Sequence, residues 1–237
     1  MQEALLAWFD DHGRDLPWRR TRDPYAILVS EVMLQQTQVS RVVPRYLEWL
    51  ERWPTVESLA AASTADAIRA WQGLGYNRRG LALHGAARVV AEHGWPDDLT
   101  ELPGVGPYTA AAIANFAFGR PVLPVDVNVS RVLARSGGTF GPEAAQALFD
   151  LGATVCLARV PRCDVCPLAG ACPSVGRQYQ PERKQGPFEG SFRQRRARLL
   201  RLAAAEPQPV DLDPEALDSL VADRLVVVVD DRATLPV

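Results

Sequence analysis

The chain has 237 residues, 47% of them hydrophobic and 23% charged, with a formal net charge of −2. This is the composition of an ordinary globular protein, which excludes a disordered or fibrous chain, and the length allows one good core or a larger domain plus a small one. No apolar run is long enough for a transmembrane helix, and the acidic, amphipathic start MQEALLAWFDDHGRDLPW is no signal or transit peptide, so a cytoplasmic protein without a membrane partner is expected.

Residues 1–12 read as a helix with Ala4, Leu5, Trp8 and Phe9 on one face. The linker GRDLPWRRTRDP breaks it with a glycine and two prolines. Further helices are expected over 25–36, 39–52, 56–62 and 64–72, the last with Ser63 or Thr64 as N-cap, and Gly73 and Gly75 end that stretch. HGAARVVAEHG makes another helix over 84–94. In LPGVG (102–106), two glycines two apart permit a tight turn whose main-chain N–H groups point outward at a helix start, a geometry that can hold a phosphate. Pro107 suits a first helical position, TAAAIANFAFG gives one closely packed helix, and Gly119 with Pro121 stops it. Alone, such a hairpin is equally an ordinary helix–helix connector. Asp126 reads as an N-cap before VNVSRVLAR, and Glu31 as a solvated carboxylate in an otherwise apolar helix. No alternating strand appears before residue 225, so the first 175 residues read as all-α, an orthogonal bundle.

The four cysteines, Cys156, Cys163, Cys166 and Cys172, are spaced C-x6-C-x2-C-x5-C within seventeen residues. In a reducing compartment that clustering points to a metal rather than to two disulfides. Four thiolates suit either zinc or a [4Fe–4S] cluster. Beyond Ser174 the chain turns polar and basic: Arg177 to Arg201 carries eight basic residues against Glu182 and Glu189, a local charge of +6 that leaves −8 elsewhere. A helix at about 193–205, another at about 213–223 and the run VVVVDDRATLPV with an Asp-Asp turn make a small helix–helix–hairpin unit resembling a winged helix. From Val210 to the end seven acidic residues stand against two arginines, which favours a packing or partner role over nucleic-acid binding.

LPGVGPYTA followed about twenty residues later by VDVNVSRVLAR resembles the helix-hairpin-helix and aspartate signature of the DNA glycosylase superfamily that includes endonuclease III and the MutY-type adenine glycosylases. LPWRRTRDPY with SEVMLQQTQV is similar, nearly word for word, to a segment of the MutY-type enzymes. The resemblance implies a monofunctional glycosylase of base excision repair. It would act as a nucleoid-associated monomer on double-stranded DNA holding A:8-oxoguanine or A:G mispairs. By the family's pattern Glu31 protonates the departing adenine, which requires partial desolvation so that its pKa rises. Asp126 stays ionised and stabilises the sugar cation, and Asn128 orients it or the substrate. Tyr108 stands where the lyases carry a lysine, so base removal without efficient strand cleavage is expected; the chain's one lysine, Lys184, lies far from that position. Gln36 and Tyr76 would wedge into the duplex, although Tyr76 alone also reads as a half-buried aromatic. Leu102, Gly104, Val105, Gly106 and Arg20 would contact DNA. The cysteines would hold a [4Fe–4S] cluster, stiffening a loop that carries Arg159 and Arg162 toward phosphates.

These readings divide the chain into a catalytic domain at 1–174, a basic linker at 175–192 and a winged-helix-like unit at 193–237. Within the first, 22–135 forms the helix-hairpin-helix part, and 1–21 with 136–174 the cluster part. Three features depart from the family. Asn77 replaces a second tyrosine after GLGY, and SGGTFGPEAAQA is a trimmed insert in which Gln146 stands in for lost adenine contacts. The roughly sixty residues after Ser174 are too few for the Nudix-like domain of longer relatives. Two alternatives stay open: a mismatch thymine or uracil glycosylase, and a non-catalytic DNA-binding module with structural zinc.

Overall fold

The computed structural model describes residues 1–180 and 186–237. Part of the expected basic linker, with Lys184, lies outside the described residues. Eleven α-helices and three short strands are present among them. They form two compact units, Met1–Ile27 with Gly106–Lys184, and Leu28–Val105 with Gln185–Val237.

The first unit contains α1 (Gln2–His12), α7 (Pro107–Phe116), α8 (Val127–Ser136) and α9 (Ala145–Thr154), followed by the cysteine loop. Leu5 of α1, Val129 and Val132 of α8, and Leu148 and Leu151 of α9 form its core with Phe140 and Leu168. Of the face expected on α1, Leu5 is fully buried, Trp8 and Phe9 partly so, and Ala4 is exposed. α8 packs on α9. Asp150 of α9 fastens the broken linker after α1: its carboxylate accepts from the Arg14 backbone N–H (2.8 Å) and from the guanidinium groups of Arg14 (2.7 Å) and Arg19 (2.7 Å). Burial pushes this carboxyl up, but the bonds from Arg19 and Arg14 outweigh it and hold it below the usual carboxylate range.

The second unit holds α3 (Val39–Arg52), α4 (Val56–Ala60), α5 (Thr64–Trp71) and α6 (Arg78–His93); α2 (Pro24–Leu34) carries the chain into it from the first. Ser63 is the N-cap of α5, its hydroxyl accepting from Asp66 N–H (3.0 Å). α6 begins at Arg78, a turn and a half before the expected 84. Gly80 permits this, because a Cβ there would lie 2.7 Å from the Trp71 ring, so the helix start seats flush on α5.

The C-terminal segment runs α10 (Phe192–Ala205), β1 (Gln208–Pro209), α11 (Pro214–Ala222), β2 (Val227–Val229) and β3 (Arg232–Thr234). The sheet is antiparallel in the order β1-β3-β2, with Val228 opposite Ala233. Asp230 and Asp231 make the β2–β3 turn at φ 49° and 56°, the left-handed pair such hairpins need. The expectation of no strand before 225 is corrected by β1, whose two residues are too few to show alternation. Leu199, Leu200, Leu217, Leu220 and Leu235 share one core with Ala65 and Ile68 of α5, so this segment is integral to the second unit. Much of its positive charge is neutralised from within: Arg195 pairs with Asp213 (2.5 Å) and Glu215 (2.9 Å), and Arg196 with Asp223 (2.6 Å).

Candidate active site

In the second unit, α2 is apolar almost throughout (PYAILVSEVML) and is buried on all sides, which leaves Glu31 only 5% exposed. Glu31 is therefore not the solvated carboxylate that an isolated helix suggests. Burying such a group is costly unless it is partnered. α2 ends at Leu34; Gln36 follows in the left-handed region at φ 58° and is exposed. The GLGY loop presents a second left-handed side chain, Tyr76 at φ 46°, 50% exposed. In the hairpin, Leu102 and Val105 are buried anchors, and the Val105 N–H closes the turn on Leu102 O (3.1 Å). What the turn offers a ligand is its glycine backbone. Gly104 adopts φ 75°, and a Cβ there would lie 2.6 Å from Ala82 Cβ, so no other residue fits. Gly106 has open space beside it.

In the first unit, Asp126 caps α8: Oδ1 accepts from Val129 N–H (2.7 Å) and Oδ2 from Asn128 Nδ2 (2.7 Å). Both carboxylate oxygens are thus oriented. The chain of bonds continues as Arg131 Nη2 donates to Asn128 Oδ1 (2.8 Å) and Gly152 O (2.7 Å), and Nε to Cys156 O (2.8 Å). Gly152 presses on Asn128, whose Cβ would stand 2.8 Å from an added Cβ. One continuous network therefore runs from the Asp126 carboxylate to the first cysteine. Tyr108 of α7 meets Phe149 edge-on at 6.2 Å between centroids. Arg20 is exposed but not a free cation, since its guanidinium is paired with Asp15.

All four cysteines line one pocket, with Arg135 and Arg162 at its wall. Burial pushes the Cys166 thiol up, past the opposing Leu168 N–H, and the three other sulfurs push the same way. Among the described residues no three metal-binding side chains are gathered tightly enough for a single ion. Four thiols around one pocket suit either zinc or a [4Fe–4S] cluster. Arg135 braces the loop, donating to Leu157 O (2.7 Å) and Ala158 O (2.7 Å) and approaching Cys156 Sγ at 3.7 Å.

Residues 29–151 match the model of the HhH-GPD superfamily of base excision DNA repair proteins. The chain is 44% identical to an adenine DNA glycosylase of Mycobacterium tuberculosis, an alignment covering 98% of this chain and 92% of that one. The chain belongs to this superfamily, among the adenine DNA glycosylases. A second relative of that name, from Mycolicibacterium smegmatis, is 40% identical over 94% of this chain and 91% of its own. In three dimensions the chain is similar to a thermostable thymine-DNA glycosylase, with a TM-score of 0.65 and 29% identity over 73% of this chain and 93% of that one. The enzyme is accordingly a DNA repair glycosylase of the helix-hairpin-helix fold.

Three site residues escape a reading of the sequence: Arg79, Arg131 and Asp150. Arg131 alone has a local signal, lying three residues after Asn128 on the same helical face. The other two bind partners distant in sequence: besides its neighbours Leu74 and Gly75, Arg79 reaches back 42 residues to Thr37, and Asp150 reaches 131 to Arg19.

Proposed function

We propose that the enzyme hydrolyses the N-glycosidic bond of adenine standing opposite 8-oxoguanine or guanine in duplex DNA. The carrying observation is the near full-length match to adenine glycosylases with both motif carboxylates in place, one of them buried. Burial of Glu31 removes the water that favours a charged carboxylate, which suits a proton donor to the purine as its bond to the sugar C1′ breaks. Asp126, its oxygens set by Val129 N–H and Asn128, stabilises the oxocarbenium ion and directs the water that adds at C1′. The bond electrons leave with adenine, the proton comes from Glu31, and the products are free adenine and an abasic sugar. Tyr108 has no amine to attack that sugar, so strand cleavage does not follow.

The extruded base leaves a gap for Gln36 and Tyr76, both exposed. The glycine backbone at Gly104 and Gly106 binds phosphate, with Leu102 and Val105 anchoring the turn from below. Arg20 reaches DNA only by exchanging Asp15 for a phosphate. Cys156, Cys163, Cys166 and Cys172 hold a [4Fe–4S] cluster, whose contribution when bound is to cross-link the loop bearing Arg159 and Arg162. The enzyme works as a cytoplasmic, nucleoid-associated monomer.

The similarity to a thymine-DNA glycosylase supports a second reading, excision of mismatched thymine or uracil. Duplexes holding A:8-oxoguanine, A:G, T:G and U:G, treated with enzyme and then alkali, separate the two. Cleavage in the first two supports the adenine reading, and cleavage confined to the last two overturns it. Glu31→Gln and Asp126→Asn should each abolish excision while binding duplex DNA within a few-fold of wild type.

A further inference from the structure

Arg79 lies on the first turn of α6 and faces inward. Its guanidinium sits 5.4 Å from the ring centroids of both Trp71 and Tyr76. Nη1 donates to the carbonyl oxygens of Val32 (2.8 Å), Met33 (3.2 Å) and Gln35. Nη2 donates to Thr37 Oγ1 (3.0 Å), Leu74 O (3.3 Å) and Gly75 O (3.1 Å). Val32 and Met33 are among the last residues of α2, where carbonyls have no helical amide ahead of them. One side chain thus caps the end of the Glu31 helix and ties it to the GLGY loop. The knot has cross-braces that omit Arg79: Thr37 Oγ1 donates to Leu74 O (3.2 Å), and Trp71 Nε1 to Gly75 O (3.1 Å).

Burial draws the guanidinium down to about 10, with Tyr76 opposing the shift, so it keeps its charge at neutral pH. A desolvated cation of this kind is held by its six acceptors, and its Nε is buried without one. Gln36 and Tyr76, both exposed and left-handed, lie directly beside these acceptors in the chain. For residues other than glycine that conformation is strained, so it persists only where the surroundings enforce it.

We propose that Arg79 is a positioning residue that sets Gln36 and Tyr76 as one rigid wedge and fixes the end of the helix bearing Glu31. The inference rests on the wedge roles proposed above. Extruding a base costs stacking and pairing, and a wedge that must also be ordered on contact spends part of its binding energy on itself. A lysine cannot replace the fork, because one ammonium with three donors does not span six acceptors on two loops.

The test uses duplexes with 2-aminopurine in place of the target adenine, whose fluorescence rises on extrusion, alongside single-turnover excision from A:G. Arg79→Lys should bind DNA within a few-fold of wild type yet lose about tenfold in extrusion and excision, equivalent to about 1.4 kcal/mol. In a Gln36→Ala/Tyr76→Ala background the same substitution should cost less than about twofold in extrusion, because the wedge it sets is gone. An equal loss in both backgrounds, or wild-type extrusion by Arg79→Lys, overturns the proposal. Should the Gln36→Ala/Tyr76→Ala protein extrude normally, the wedge assignment itself falls, and this inference with it. Thr37→Val, which removes one acceptor, is the milder probe if Arg79→Lys does not fold: it should lower extrusion several-fold, and no effect counts against the proposal.

Discussion

Asp150→Asn is the most quantitative prediction for the first unit. The Asp150 side chain is 1% exposed, that of Arg19 12% and that of Arg14 30%. Asparagine keeps the shape but removes the charge, and turns an NH₂ toward donors that cannot receive it. Breaking a buried pair by deleting one partner costs about 3–5 kcal/mol, and because water reaches part of Arg14, the lower end, about 3 kcal/mol, applies. For a chain of this size that is a melting-temperature loss of roughly 6–12 °C. The pH dependence carries a definite sign. Asp150 has a lowered pKa in the folded state, so its stabilisation is present above the unfolded carboxylate value and lost as pH falls through the folded one. The gap between wild type and Asp150→Asn should therefore stay constant from about pH 8 to about pH 5 and close below about pH 4. Thermal melts followed by far-UV circular dichroism measure it. Equal melting temperatures at neutral pH, or a gap that persists in acid, would refute the reasoning.

Gly152→Ala gains under about 1 kcal/mol of helix propensity but places a methyl group 2.8 Å from Asn128 Cβ and 3.2 Å from its backbone, which cannot rotate away. Overpacking of about 1–3 kcal/mol should win, lowering both melting temperature and single-turnover excision, the latter through displacement of Asn128 from Asp126. The Arg135 guanidinium lies 3.6 Å from the centroid of Tyr179, whose N–H donates to Arg159 O (2.9 Å). Tyr179→Leu removes a cation–π contact of about 0.5–2 kcal/mol, so the visible absorption of the loaded protein should bleach several-fold faster in air, while Tyr179→Phe should match wild type. Purified protein should be yellow-brown, with a broad band near 400 nm that a chelator and oxidant abolish together with its thermal stability. A colourless preparation containing zinc would remove the cluster assignment.

Much of the architecture follows from local chemistry. The helix order, the Ser63 cap, the Asp-Asp hairpin turn and the glycine turn before α7 each depend on a few adjacent residues, and adjacent residues are what a sequence displays. β1 and the early start of α6 do not, because the one pairs with a strand more than twenty residues away and the other depends on Trp71 leaving no room for a side chain at Gly80. The same division runs through the site. Residue type and interval marked the four cysteines as metal ligands, whereas Glu31 and Asp126 were singled out by resemblance to a family's motifs, since alone they read as a solvated carboxylate and an N-cap. Only folding could bury Glu31 in an apolar helix, turn Arg79 from an ordinary basic residue into the clasp of two loops, and bring Asp150 to arginines 131 and 136 positions away. A charge shows its value when water is removed and its partners are in reach, and both are properties of three-dimensional packing rather than of neighbours in the chain.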